Sequence, residues 1–131
     1  MAGEKILIVD DDEIIRTLLH DLLEEDEGYV CEVAASGEEG LTEIKNQDFD
    51  LVMLDIKLPG KDGIEILRTV RKMNPDLNVI MMTGHPNIKT EKESIRLGAF
   101  KYITKPIDFE KVLPMIRAAL EKHREALEQA R

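Results

Sequence analysis

Between Asp50 and Asp55 the chain runs Leu51-Val52-Met53-Leu54, four apolar residues without polar alternation, and closes on a carboxylate. A half-buried strand alternates polar and apolar residues; an unbroken run this short fits a strand covered on both faces. Such a strand needs a layer of helices above it and another below. Ile56-Lys57-Leu58-Pro59-Gly60 then reads as a turn. In open α/β sheets, ligands bind beyond the carboxyl ends of the strands. Asp55 therefore stands at a binding edge, although a lone Asp there serves equally well as a strand or loop cap.

The same pattern recurs along the chain. Ile6-Leu7-Ile8-Val9 is a second apolar run and ends in Asp10-Asp11-Asp12. Ile14, Ile15, Leu18, Leu19, Leu22 and Leu23 then follow helical spacing, with Asp12 as N-cap and Gly28 as the stop. Val30 to Ala34 reads as a strand, and Ser36 with Glu39 as a capping box opening a helix. Asp62 caps a helix that Asn74-Pro75 ends. Val79 to Met82 is a fourth strand, and Thr83-Gly84-His85-Pro86 a loop. Thr90 with Glu93 reads as a capping box for a short, highly charged helix ending at Gly98. Tyr102 to Thr104 is a fifth strand, and Asp108 caps a last helix. Five strands alternating with five helices imply an α/β doubly wound parallel sheet, flavodoxin-like, in the order 2-1-3-4-5. In that order the ends of strands 1 and 3 meet, bringing Asp10, Asp11 and Asp55 into one crevice.

Composition narrows the function. The chain has 131 residues, enough for one full core. Its net charge of -9 argues against non-specific binding to nucleic acid or to an anionic membrane surface. One cysteine, Cys31, excludes a disulfide framework and fits a reducing compartment. No apolar run approaches the roughly 20 residues of a membrane span, and a cytoplasmic location is expected.

Three carboxylates in one crevice repel one another, so either some hold protons or a cation neutralises them. Oxygen-only ligands favour a hard ion. Mg²⁺, which uses one or two carboxylates and keeps several waters, fits, with Mn²⁺ as a substitute. Strand 4 ends at the hydroxyl of Thr83, and strand 5 leads to the ammonium of Lys105. A carboxylate, a divalent ion, a hydroxyl and an ammonium around one point make a phosphoryl-transfer site. Asp55 would be its nucleophile, and the metal and Lys105 would disperse charge from the phosphoryl oxygens. Each residue alone has an ordinary structural reading, as a cap, a turn residue or a surface ammonium. Four strand ends carrying complementary groups on one edge do not.

Over roughly residues 4 to 121 the chain resembles the receiver domain of two-component response regulators. Ile8-Val9-Asp10-Asp11 is similar to the family's acidic pair, and Asp55 to its phosphoacceptor. Leu58-Pro59-Gly60-Lys61-Asp62-Gly63 is similar to the loop that follows. Thr83 matches the switch hydroxyl, Tyr102 the switch aromatic, and Lys105-Pro106 the lysine followed by a cis proline. The resemblance implies metal ligation by Asp11, Asp55 and the backbone carbonyl of Lys57, with Asp10 acting largely through water. It implies a histidine kinase or phosphotransfer protein as donor to Asp55. Thr83 then moves toward the new oxygens, Tyr102 turns inward, and the surface of helix 4, strand 5 and helix 5 changes for a partner, an output domain or a second copy. It also places Lys57 and His85 beside the path of the hydrolytic water, where they would tune autodephosphorylation. Self-phosphorylation and autodephosphorylation would be the domain's only catalysis.

Two other functions fit the bare pattern less well. A haloacid-dehalogenase-type phosphohydrolase has a second Asp two residues after its nucleophile; here that residue is Lys57. A flavodoxin needs a phosphate-binding loop, and Asp10-Asp11-Asp12 repels phosphate. An inactive scaffold would not need the full set of polar strand ends. A stand-alone phosphorelay intermediate remains an alternative to a regulator with its own output. Residues 1–121 are expected to form the receiver domain and 122–131 an extension of the last helix. Leu113, Leu120 and Leu127 sit seven apart with Ile116 and His123 between, the spacing of a coiled-coil start or of a helix that packs on a sheet and runs on. His20 and His123 read as surface residues, and Met53, Met81 and Met82 as core.

Overall fold

A computed structural model describes residues 3–130. The apolar runs form β1 (Lys5–Val9), β2 (Val30–Ala34), β3 (Leu51–Asp55), β4 (Asn78–Thr83) and β5 (Lys101–Thr104). Between and after them lie α1 (Glu13–Asp21), α2 (Gly37–Asn46), α3 (Gly63–Met73), α4 (Ile88–Arg96) and α5 (Phe109–Gln129). The strands are all parallel, in the order β2-β1-β3-β4-β5. Every residue of β3 and β4 is buried, which is why neither strand alternates.

Strand parity sorts the core into two layers. Leu7, Val9, Val52, Leu54, Val79 and Met81 face one side, under Leu41 of α2 and Ile66, Leu67 and Val70 of α3. Ile6, Ile8, Leu51, Met53, Ile80 and Met82 face the other, under Leu19 of α1 and Val112, Ile116, Ala119 and Leu120 of α5. Met53, Met81 and Met82 are fully buried, as expected of core residues. Cys31 is buried among the second layer, and burial, with Glu24 and Glu32 nearby, pushes its thiol up to about 12. It is therefore a packing residue at neutral pH and not a nucleophile.

The side chains of Asp12, Ser36, Asp62 and Asp108 cap α1, α2, α3 and α5 as expected, each accepting a first-turn N–H. α4 differs. Its cap is Asn87, which accepts from the Thr90 N–H at 2.9 Å, so the helix begins before the expected Thr90–Glu93 box. Asn is the stronger cap, and Glu93 instead reaches Arg68 of α3 at 3.3 Å and Arg96 of its own helix. The first helix also departs from expectation. Its regular part stops at Asp21, and a wider π turn, Leu22–Asp26, carries the chain toward Gly28. That turn aims Glu24 at β2, where it accepts the Cys31 N–H at 2.8 Å.

α5 packs Ile116 and Leu120 on the sheet and leaves Leu127 exposed, so the seven-residue spacing up to Leu120 is core packing. His123 is a correction. Its side chain is only 11% exposed, with Nε2 3.4 Å from Asp50 Oδ1. It lies one turn beyond Leu120 on the same helix face, and α5 there still borders the sheet. His20, half-exposed beside Asp21 and Glu24, sits nearer the surface as expected.

Candidate functional site

The loops at the carboxyl edge are stapled by main-chain bonds that continue the ladder past the strand ends. Asp10 N donates to Ala34 O at 3.1 Å, Ile56 N to Met82 O at 2.9 Å, and Lys105 N to Thr83 O at 2.7 Å. This frame carries the polar side chains together. Asp10, Asp11 and Asp55 each offer an oxygen, and these oxygens lie within 4.8 Å of one another. Lys105 Nζ is 2.7 Å from Asp10 Oδ2 and donates to Asp55 Oδ2 at 3.0 Å. Asp10 is fully buried and Asp55 3% exposed, whereas Asp11 is exposed at the rim.

The remaining oxygens are tied to backbone. Asp10 Oδ1 accepts from Asp12 N at 2.9 Å, and Asp55 Oδ1 from Lys57 N at 3.2 Å. Asp10 Oδ2 is buried without an aligned hydrogen bond despite its closeness to Lys105. The three carboxylates exceed the one ammonium beside them, and a donor set of oxygens alone suits a hard cation.

Burial raises the Asp55 carboxyl above its ordinary value, and the Asp10 charge adds to the rise; bonds from Lys105 and the Lys57 amide oppose it. For Lys105 burial acts downward, but the neighbouring carboxylates of Asp10 and Asp55 outweigh it and hold the ammonium above its ordinary value. Lys105 thus stays charged among the carboxylates.

Thr83 ends β4, one step beyond Met82, which pairs with Asp55. It is 2% exposed, and its Oγ1 accepts from His85 N at 2.9 Å, so its own proton is free to donate elsewhere. Lys57 and His85 are exposed on adjacent loops. The Lys105–Pro106 peptide is cis, as the resemblance implied. Tyr102, half-buried on β5, points its hydroxyl at the start of α4.

Two contributions are not legible in the sequence: the bond from Arg16, and the packing role of Gly63, whose place in the family-like loop is evident. Arg16 Nη1 donates to the Asp10 carbonyl at 2.9 Å and pins the acidic loop from α1. Gly63 opens α3 against the loop after β3; a β-carbon there would meet the Asp55 carbonyl oxygen and come within 2.6 Å of Ile56 Cα. Arg16 follows Asp10 by six residues, and only its place on the first helix turns signalled it.

This fold and this crevice define a class. A family model for the response regulator receiver domain matches residues 6–117, and the chain belongs to that family. Sporulation initiation phosphotransferase F of Bacillus subtilis is 41% identical over 123 residues, covering 94% of this chain and 95% of that protein. Transcriptional regulatory protein ZraR of Klebsiella oxytoca is 38% identical over 122 residues, but the chain spans only 27% of its length. Among solved structures, a CheY-like response regulator receiver domain protein from Methanospirillum hungatei superposes with a TM-score of 0.91 at 38% identity, covering 95% of this chain and 99% of that one. NtrX from Brucella abortus gives 0.88 at 36% identity, with 99% of this chain matching 30% of that one. The chain is thus a two-component signalling domain of a kind found both alone and as part of longer regulators. Among the described residues no helix is long and apolar enough to cross a membrane.

Proposed function

We propose that Asp55 accepts a phosphoryl group from the phosphohistidine of a sensor kinase or phosphotransfer protein. The observation that carries this reading is a buried Asp55 carboxylate held against the Lys105 ammonium at 3.0 Å beside two further carboxylates. A carboxylate oxygen attacks phosphorus, the P–N bond breaks as the P–O bond forms, and an acyl phosphate results. Lys105 keeps Asp55 ionised and then faces the phosphoryl oxygens. Thr83, its hydroxyl oxygen already accepting from His85, turns its proton toward them. Mg²⁺ or Mn²⁺ held by Asp10, Asp11, Asp55 and the Lys57 carbonyl would supply positive charge to the same oxygens when bound. Hydrolysis reverses the change when water attacks phosphorus and the P–O bond to Asp55 breaks; Lys57 and His85 flank that approach and tune its rate.

The added charge biases Tyr102 and the α4, β5 and α5 surface, where Ile88 and Ile95 stand exposed on α4. Reversing a 1:99 population would take about 5.5 kcal/mol of differential stabilisation, within reach of a few charge-assisted hydrogen bonds. On the donor side, exposed Ile14 and Leu18 of α1 flank the acidic loop and offer an apolar seat for a kinase helix. Residues 1–121 form the signalling unit, and 122–131 begin a connection; Leu120 is the last buried hydrophobic residue of α5. A second reading, in which Asp55 passes its phosphoryl group onward as a relay intermediate, is supported by the near full-length match to the Bacillus phosphotransferase.

Incubation with acetyl phosphate and Mg²⁺, read by intact mass, tests the proposal. Wild type is expected to gain one phosphoryl group and lose it on removal of the donor, and Asp55→Asn to gain none. A wild-type mass that never rises, or an equal gain in Asp55→Asn, overturns it.

A further inference from the structure

The first turn of α4 is closed by a ring of hydrogen bonds that includes a side chain from β5. Asn87 N donates to the Tyr102 hydroxyl at 3.3 Å. That hydroxyl lies 2.8 Å from Thr90 Oγ1, and Thr90 Oγ1 donates to the Asn87 carbonyl at 3.3 Å. Each hydroxyl carries one proton. With Tyr102 donating to Thr90 and Thr90 to Asn87, all three contacts are satisfied in one direction around the ring. Bonds arranged head to tail polarise one another. The other end of the Tyr102 side chain packs against the core layer under α3. Asn87 is also the cap of α4, its side chain already holding the Thr90 N–H at 2.9 Å. Tyr102 is therefore clasped by the residues that start the helix.

We propose that Thr90 is a positioning residue for the switch: its hydroxyl holds Tyr102 on the first turn of α4 and opposes the movement that accompanies phosphorylation. The inference rests on the reading of Tyr102 as the switch aromatic. Moving Tyr102 forfeits its bonds to Thr90 and Asn87 together. Both lie near solvent, so water replaces them in part and the clasp biases the equilibrium without locking it. The β4–α4 loop, which follows Thr83 and carries His85, leads directly into Asn87. Thr90→Val removes the hydroxyl and keeps the branched shape; Thr90→Ser keeps the hydroxyl and removes the methyl.

Tyr29 and Tyr102 are the chain's two tyrosines, and it has no tryptophan. Fluorotyrosine-labelled protein therefore gives two fluorine NMR lines, assigned with Tyr29→Phe. Phosphorylation of wild type with acetyl phosphate and Mg²⁺ is expected to move the Tyr102 line. Thr90→Val is expected to move it part of the same way with no donor present, and Thr90→Ser to leave it in place. Thr90→Val should also take up the phosphoryl group faster, by roughly two- to tenfold, the range covered by one net hydrogen bond. Tyr102→Phe, which opens the ring from its other side, should show the same acceleration even if Thr90→Val folds poorly. An unmoved Tyr102 line with an unchanged rate in Thr90→Val overturns the clasp. So does a Thr90→Ser that behaves like Thr90→Val, because packing would then be the cause. A wild-type Tyr102 line that ignores phosphorylation overturns instead the switch reading beneath it, and a wild type that gains no mass overturns the phosphoacceptor.

Discussion

The two ends of the sheet both hold buried polar groups, but they are built on opposite plans. At the amino edge nearly every group faces a partner of opposite sense. Asn78 donates from a buried position to the Ala119 carbonyl of α5 at 2.6 Å. Asp50 accepts from Lys5 N at 2.8 Å and meets His123 at 3.4 Å. Arg71 donates to the carbonyls of Pro75 and Leu77. Among the described residues there, only Arg71 Nε and His123 Nδ1 are buried without a partner. At the carboxyl edge three carboxylates crowd together, and two of them share a single ammonium. One end spends its polar groups on holding α3 and α5 in place. The other keeps like charges together, at a cost to stability that a bound cation can relieve.

The largest test breaks the satisfied end. Asn78→Asp puts a carboxylate against the Ala119 carbonyl, a buried charge without a counterion. A loss of about 3–5 kcal/mol is expected at neutral pH by urea unfolding. The introduced carboxyl would have a raised folded pKa. The folded state then binds its proton more tightly, so stability should be recovered as the pH falls and lost as it rises. A loss that ignores pH would show that the amide's shape, and not its donor, matters. The next test relieves the strained end. Mg²⁺ at a hundredfold excess over its Kd should stabilise the protein by about 2.7 kcal/mol in thermal melts, and Asp11→Asn should remove most of that gain. A third, smaller effect is expected in EDTA. Asp55 is held above its ordinary value chiefly by burial, so its ionisation costs stability as the pH rises through that raised value. Asp55→Asn lacks this cost and should be more stable by about 0.5–2 kcal/mol at neutral pH, the difference closing toward the acid side of the ordinary carboxylate range. A less stable Asp55→Asn would mean that Lys105 already compensates the crevice in full.

What the sequence shows, it shows through side chains with a direct job. β3 reads plainly because both its faces are covered and no polar residue interrupts it. Asp10, Asp55, Thr83 and Lys105 read as a set because each ends a strand or follows directly on one. The misses share a different cause. Gly63 matters for an atom it lacks. Arg16 works on a backbone carbonyl, which leaves no complementary residue to recognise. At α4 the Thr90–Glu93 spacing imitates a capping box, whereas the cap is Asn87, three residues earlier. The burial of His123 depends on how far the sheet edge reaches along α5, which helical spacing does not encode.

The rungs that continue the ladder beyond the strand ends, from Asp10, Ile56 and Lys105, are peptide groups on both sides. Any amino acid but proline supplies them. A saturation scan would therefore report Asp10 and Lys105 for their side chains, while the main-chain bonds that aim them would leave no trace of their own. The chemistry of this crevice can be erased one residue at a time, while the main-chain bonds that aim it stay in place through the same substitutions.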